Sequence, residues 1–160
     1  MRSDRADFIR RYGGIYEHSP WVAEETFEAA RQVSSPAELA DLFAACVDRA
    51  PHARKLALIR AHPDLAGRAA VAGELSDDST EEQARAGIGQ CTKEEFERFR
   101  SLNEAYKERF GFPFIMAVRN SDRQEILAAF EERIGHDAQT EFDRAMLEIH
   151  KIAKLRLESL

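Results

Sequence analysis

The stretch Ala61-His62-Pro63-Asp64-Leu65-Ala66-Gly67 interrupts a sequence that is otherwise patterned as helix. Apolar residues recur at helical spacing before and after this stretch, whereas the stretch itself lacks that period. Because a proline follows His62, that residue is biased away from helical backbone angles. A preceding helix is therefore predicted to end at about Arg60 or Ala61, which leaves the His62 imidazole at a bend of the chain.

Capping patterns predict helices on both sides of this bend. Ser35-Pro36-Ala37-Glu38 and Thr92-Lys93-Glu94-Glu95 both fit the capping-box pattern, in which the first and fourth residues cap a helix reciprocally. Ser19, followed by Pro20, and Ser121 are predicted to cap two further helices. Glycine favours the left-handed backbone that ends a helix, so Gly111 is predicted to end the helix that starts at Thr92.

Apolar stripes at helical spacing support the same helices. The last helix is predicted over about residues 137–157, with a stripe formed by Phe142, Ala145, Met146, Ile149 and Ile152. The run Phe112-Pro113-Phe114-Ile115-Met116-Ala117-Val118 is apolar without helical period, which favours a short extended segment buried on both sides. No second strand signal accompanies it. The pattern predicts an all-α fold, a single-domain bundle of about seven or eight helices over residues 1–160.

The composition narrows the class of protein. The chain has 160 residues, 44% hydrophobic and 32% charged, an ordinary balance for one soluble domain. A net charge of -6 argues against a general electrostatic hold on nucleic acid. No apolar run approaches the roughly 20 residues that span a bilayer, and the N-terminus lacks the apolar core of a signal peptide. With two cysteines, Cys46 and Cys91, we expect no disulfide framework but a reduced, cytoplasmic protein without nucleic-acid or membrane partners.

Two residues of the interrupted region suggest acid–base chemistry. His62 is a candidate general acid or base because an imidazole titrates near neutral pH, although it is also consistent with a residue that merely ends a helix. Glu82 is the second candidate. Since Ser79-Thr80-Glu81-Glu82 is itself a capping box, Glu82 has a structural alternative as the reciprocal cap of Ser79. The two roles are compatible, because a capped helix start also attracts anions.

Arg156 is the third candidate. It lies seven residues after Ile149 and four after Ile152, which places it on the apolar stripe of the last helix. An arginine there either complements the helix dipole and lays its stem on apolar surface, or offers a bidentate fork to a substrate carboxylate.

The non-helical run 112–118 carries backbone groups that need partners, and a heterocycle with amide edges is one such partner. His18, His52, His136 and His150 show no paired ligand spacing, so we predict no metal site, and no phosphate-binding glycine motif occurs.

Four motifs in order resemble the 2-oxo-4-hydroxy-4-carboxy-5-ureidoimidazoline (OHCU) decarboxylase family. His62 to Gly67 matches its His-Pro-Asp-Leu-Ala-Gly, and residues 79–88 match Ser-x-x-Glu-Gln-x-x-Ala-Gly-Leu except for Ile88 in place of leucine. Leu102 to Phe114 matches Leu-Asn-x-x-Tyr-x-x-x-Phe-Gly-Phe-Pro-Phe. Glu148 to Leu157 matches Glu-Ile-x-Lys-Ile-x-x-x-Arg-Leu. The resemblance spans nearly the whole chain.

The resemblance implies a cofactor-independent carboxy-lyase, an all-helical homodimer that converts OHCU to (S)-allantoin, the last step of urate degradation to allantoin in purine catabolism. It implies that His62 and Glu82 are the catalytic pair. The substrate pocket that it implies is formed by Pro63, Ser79, Thr80, Glu81, Glu82, Gln83, Phe114, Ile115, Met116, Ala117, Val118 and Arg156.

Two alternatives remain open from the sequence. One is a non-enzymatic helical module that binds partners through an amphipathic face, for which His62, Glu82 and Arg156 would point to separate places. The other is a lyase or hydrolase that acts on a different ureido compound with the same pocket, which a screen of ureides would distinguish.

Overall fold

A computed structural model of the protein describes residues 2–63, 92–118 and 121–160, and within these ranges all regular secondary structure is helical. The all-α fold predicted from the sequence is therefore confirmed. None of the helices described is long and apolar enough to cross a membrane. The described helices are α1 (Arg2–Tyr12), α2 (Trp21–Ala30), α3 (Pro36–Asp48), α4 (His52–Ala61), α5 (Lys93–Phe110), α6 (Arg123–Arg133) and α7 (Ala138–Glu158).

The start and end of α5 are as predicted. The Thr92 side chain accepts a hydrogen bond from the Glu95 N–H at 3.1 Å, and Glu95 Oε1 accepts one from the Thr92 N–H at 3.0 Å. Gly111 follows the helix with a left-handed φ of 79°, and its N–H donates to the Lys107 carbonyl at 2.8 Å. Both ends of α5 therefore satisfy backbone groups that a helix otherwise leaves unpaired.

Three predicted caps are wrong in detail. The Ser19 hydroxyl does not cap α2 but donates to the Glu17 carbonyl at 2.9 Å, and α2 follows Pro20, whose backbone is already helical. Ser35 caps α3, but the Glu38 carboxylate accepts from the Ser34 N–H instead of closing the box on Ser35.

At α6 the cap is Asp122 and not Ser121, because Asp122 is the residue with extended backbone. Its carboxylate accepts from the Glu125 N–H at 2.8 Å. A carboxylate at this position also complements the positive end of the helix dipole.

The chain forms two compact units. The first contains Met1–Ala61 and Ile149–Leu160, and the second contains His62–Glu148. The predicted organisation as a single domain stays a prediction. In the first unit α1 packs on α2 and α2 on α3. Its apolar centre includes the ring of Phe43, which is 1% exposed and lies 6.3 Å from the ring of Phe8.

The core of the second unit is aromatic. The rings of Phe114 and Phe130 stack with centroids 3.8 Å apart, and Tyr106 meets Phe114 edge-on at 5.5 Å. Phe99 and Ile126 are also fully buried in this unit. The ring stack joins α6 to the non-helical run that follows α5, so this run is held by packing.

Glu95 connects the starts of two helices within the second unit. Besides its bond to Thr92, its carboxylate accepts from the Arg123 Nε at 2.9 Å at the start of α6. The backbone hydrogen bond from Thr92, followed by the contact with Arg123, holds the pKa of Glu95 below its usual range. The same carboxylate therefore caps α5 and pairs with α6.

Gly111→Ala should lower the free energy of unfolding by about 1 kcal/mol, because alanine has a Cβ that disfavours the left-handed backbone at this position. Urea-induced unfolding followed by circular dichroism measures the change.

Gly135→Ala is the matched control. Gly135 also follows a helix, but its φ is not positive, and a Cβ there would meet the Glu132 carbonyl at an ordinary 3.5 Å. We expect its stability to stay within about 0.5 kcal/mol of that of the wild type. Equal losses in the two variants would contradict the left-handed cap at Gly111.

Candidate active site

His62 lies at the bend that the sequence predicts. Helix α4 ends at Ala61, and His62 follows in a bend with 7% of its surface exposed. Pro63 comes next and is half-buried. The predicted pocket residues Ser79, Thr80, Glu81, Glu82 and Gln83 lie outside the described residues, so the roles assigned to them stay predictions.

The run from Phe112 to Val118 is non-helical, as expected, but its residues differ in burial. The side chains of Phe114, Ile115 and Val118 are buried, at 1%, 2% and 6% exposure, whereas Met116 and Ala117 are half-buried. The ring of Phe114 is used in the aromatic core. Within this run, it is therefore around Met116 and Ala117 that the chain comes nearest to the surface.

Two buried charged side chains hold the backbone of this run. The Ala117 N–H donates to Glu148 Oε1 at 3.1 Å, and the Ile115 carbonyl accepts from Arg133 Nη1 at 2.6 Å. These two groups have partners within the protein. The suggested recognition of a heterocycle by backbone groups of this run therefore stays a prediction for the other groups of the run.

Arg133 is in turn fixed by a buried carboxylate. Its Nε donates to Glu141 Oε1 at 2.9 Å, and the two side chains are 3% and 0% exposed. The Tyr106 hydroxyl donates to the same oxygen at 2.5 Å, and His136 Nδ1 lies 2.9 Å from Glu141 Oε2. This network ties α5, α6 and α7 to the run that carries Ile115.

Arg156 occupies the inward face of α7 that the sequence predicts, and it is 8% exposed. Its Nη2 lies 2.8 Å from Glu17 Oε2, and its Nη1 reaches the carbonyls of Gly14 and Ile15 at 3.5 and 3.4 Å. Arg156 and Glu17 belong to the same compact unit. The buried ion pair was not among the roles that the sequence suggested for Arg156.

A second series of polar contacts begins at Tyr16, the residue before Glu17. The Tyr16 hydroxyl is 2.9 Å from His150 Nδ1, and His150 Nε2 is 2.9 Å from Asp48 Oδ1. Burial, and then the nearby Asp48 carboxylate, raise the pKa of Tyr16 above its ordinary value. Burial and the hydrogen bond to Glu141 do the same for Tyr106.

Cys46 is the one cysteine within the described residues, and it is buried as predicted. Its thiol lies 3.6 Å from Glu25 Oε2. Burial and this carboxylate raise the pKa of the thiol, which opposes a role as a nucleophile. Among the described residues, no group of three or more His, Cys, Asp or Glu side chains is arranged to hold a metal ion.

Sequence reasoning missed four buried charged residues that shape these sites: Glu17, Arg133, Glu141 and Glu148. Helical spacing would have found two of them. Glu141 lies four residues before Ala145, and Glu148 three after it, on the stripe that also holds Arg156. Glu17 has no such signal, because it lies between helices.

Comparison with known proteins identifies the family. The sequence model of OHCU decarboxylase matches residues 1–158. The chain belongs to the OHCU decarboxylase family. It is 45% identical over 156 residues to a 2-oxo-4-hydroxy-4-carboxy-5-ureidoimidazoline decarboxylase of Haloferax volcanii, covering 98% of this chain and 90% of that protein. It is 42% identical to the enzyme of the same name from Halalkalicoccus jeotgali, covering 99% of this chain and 88% of that protein.

Solved structures agree with this family assignment. A crystal structure of an (S)-allantoin synthase superposes with a TM-score of 0.77 at 37% identity, covering 97% of this chain and 50% of the synthase chain. This chain therefore spans half the length of that synthase. An OHCU decarboxylase structure obtained in the presence of (S)-allantoin gives a TM-score of 0.74 at 20% identity, covering 93% of this chain and 96% of that chain, and it supports the fold alone.

The two buried tyrosines predict a loss of stability in alkali. In the unfolded chain a tyrosine ionises at about pH 10, whereas the raised pKa keeps the folded Tyr16 and Tyr106 protonated. Their contribution to the free energy of unfolding is fully present below about pH 10 and is lost as the pH rises above that value. Each should steepen the decline in the free energy of unfolding by about 1.4 kcal/mol per pH unit.

Urea unfolding of the wild type and of Tyr16→Phe, at pH values from about 8 to 11, measures this decline. The variant lacks one ionisable phenol and should lose stability less steeply above about pH 10. Identical slopes for the two proteins would mean that Tyr16 ionises freely in the folded state.

Proposed function

We propose that this protein catalyses the decarboxylation of OHCU to (S)-allantoin in urate degradation. The observation that carries the proposal is the family match over residues 1–158, together with 45% identity to a relative that is named for this reaction and is covered to 90% of its length. The direct test generates the unstable substrate in situ from urate, with the two preceding activities of the pathway, and follows the formation of allantoin.

The substrate supplies much of the chemistry. Its carboxylate and hydroxyl share one ring carbon that lies next to a C=N bond. When the C–C bond to the carboxylate breaks, the electron pair moves toward the C=N bond and CO2 leaves. The former C=N nitrogen takes up a proton, and the carbon that lost CO2 becomes an enol carbon that carries the hydroxyl. The enol then becomes a carbonyl as its hydroxyl loses a proton and the adjacent ring carbon gains one, so the net reaction consumes one proton. The protein has to orient the substrate, stabilise its charge and direct the proton to one face.

His62 is the proposed acid–base residue. It is held in the bend after α4 and is 7% exposed, which supports a role away from bulk water. We assign it to the carboxyl-bearing carbon as acid or base. Glu82 is proposed to position the substrate hydroxyl or to relay the proton.

Substrate binding is proposed for Arg156 and for the non-helical run. The guanidinium of Arg156 is proposed to orient the substrate carboxylate, because its planar set of donors matches a carboxylate. Met116 and Ala117 are half-buried, which supports contact between this part of the run and the ureido or ring amides. The same binding role is proposed for Pro63, Ser79, Thr80, Glu81, Gln83, Phe114, Ile115 and Val118.

The organisation of the protein is also part of the proposal. We propose that residues 1–160 act as one domain, that the protein is a homodimer in the cytoplasm, and that it works without a cofactor. The resemblance to the family supports the dimer. The electron sink within the substrate supports catalysis without a cofactor.

His62→Gln should abolish turnover, because glutamine is close in size and polarity but does not titrate near neutral pH. We expect a loss of at least about 100-fold in kcat, with a melting temperature close to that of the wild type. Allantoin formation from the freshly generated substrate and thermal unfolding are the two measurements.

His52→Gln is the matched control, since His52 is the exposed first residue of the same helix. It should retain the kcat of the wild type. If His62→Gln kept most of its kcat, His62 would be a helix-terminal residue and the proposed mechanism would be wrong.

The product should be optically active. The decarboxylated intermediate is planar at the carbon that receives the proton, so protonation in free water would give racemic allantoin. A pocket that holds the intermediate against one fixed acid delivers the proton to one face. Circular dichroism during turnover should therefore record (S)-allantoin, and the signal should persist after exhaustive chelation.

Two results would contradict this expectation. Racemic product would mean that the protein does not control protonation. Activity that is lost to a chelator and restored by a metal ion would mean that a metal takes part in the reaction.

A further inference from the structure

Glu17 is a buried carboxylate in the segment between α1 and α2, with 2% of its surface exposed. Its Oε2 lies 2.8 Å from Arg156 Nη2, and the two side chains are 2% and 6% exposed. The carbonyls of Gly14 and Ile15, from the same segment, lie 3.5 and 3.4 Å from Arg156 Nη1. One short segment thus contacts both terminal nitrogens of the guanidinium.

The turn that carries Glu17 is fixed on both sides. The Tyr16 hydroxyl contacts His150, and the Ser19 hydroxyl donates back to the Glu17 carbonyl at 2.9 Å. His18 has a left-handed φ of 47°, a conformation that is unfavourable for a non-glycine residue and persists where its surroundings enforce it. The carboxylate therefore approaches Arg156 from a defined direction.

Stability alone accounts poorly for this ion pair. Two charges lose their hydration when they are buried, and well-packed apolar residues in their place are often equally or more stabilising. What a buried partner supplies is orientation. A guanidinium is planar with five N–H donors, so a carboxylate that binds one edge sets the plane in which the other donors lie.

We propose that Glu17 is the positioning residue for Arg156, which it fixes in the orientation that receives the carboxylate of the substrate. This inference rests on the proposed function. Glu17 does not touch the substrate and acts through the guanidinium. It also balances the charge of Arg156, so the substrate carboxylate is recognised by the direction of the N–H donors more than by excess positive charge.

The test is Glu17→Gln, which keeps the size of the side chain and removes its charge. We expect KM for the freshly generated substrate to rise roughly tenfold, since misplaced binding groups cost up to about 100-fold in rate. Because (S)-allantoin has lost the carboxylate, its affinity as a product inhibitor should change less than about twofold. A merely structural role for Glu17 would weaken the binding of both compounds equally.

Thr26→Val is the matched control. It removes a buried hydroxyl of the same compact unit, which donates to the Val22 carbonyl at 2.7 Å, and it leaves Glu17 and its turn in place. We expect this variant to have the same KM as the wild type. Thermal unfolding of both variants establishes that each is folded at the temperature of the assay.

A double-variant comparison separates the inference from the proposed function. Arg156→Lys should itself raise KM, and Glu17→Gln should add no further rise on that background. If Arg156→Lys kept the KM of the wild type, the proposed carboxylate-binding role of Arg156 would fall, and the inference with it.

If Arg156→Lys raised KM and Glu17→Gln did not, the positioning role alone would be overturned. Additive effects of the two substitutions on KM, or equal weakening of substrate and (S)-allantoin, would also overturn it. A wild-type protein without decarboxylase activity would remove both the proposed function and the inference.

Discussion

A buried charged side chain must find its hydrogen-bond partners inside the protein, and three such residues on α7 hold non-helical backbone, two of them directly and Glu141 through Arg133. Glu148 accepts from the Ala117 N–H. Glu141 binds Arg133, which reaches the Ile115 carbonyl. Arg156 reaches the carbonyls of Gly14 and Ile15. Each contact lies within one compact unit. In both units, a charged side chain of the last helix holds a segment that lacks the regular backbone hydrogen bonds of a helix.

Much of the fold was predictable because helix ends carry local chemistry. The capping box at Thr92 and the left-handed Gly111 lie where the sequence places them, since both depend on residues within one turn. The caps predicted at Ser19 and Ser121 are wrong for different reasons. The Ser19 hydroxyl donates to the Glu17 carbonyl instead, since serine competes for several nearby backbone groups. At Ser121 the helix begins one residue later than predicted, so that Asp122 is the cap.

In the candidate site, the features that depend on residues close in sequence were predictable, and the contacts between distant residues were not. Helical spacing placed Arg156 on the inward face of α7, and the proline after His62 placed the bend, because both signals are local. The ion pair with Glu17 was not predictable, since the two residues are 139 positions apart in sequence. The burial of Phe114 was predicted from the apolar run, but its stacking on Phe130 was not, since no local pattern specifies that contact. The geometry of residues 79–83 lies outside the described residues.

The two contacts of Glu95, with Thr92 and with Arg123, affect local unfolding in the second unit. This one carboxylate accepts from the backbone of Thr92 and from the side chain of Arg123, so the first turn of α5 and the first turn of α6 share an anchor. Helix ends normally fray independently and exchange their amide hydrogens quickly. With a shared anchor, the amides of the two first turns open in the same local fluctuation. The two helix starts then form one cooperative element, although about thirty residues separate them in sequence.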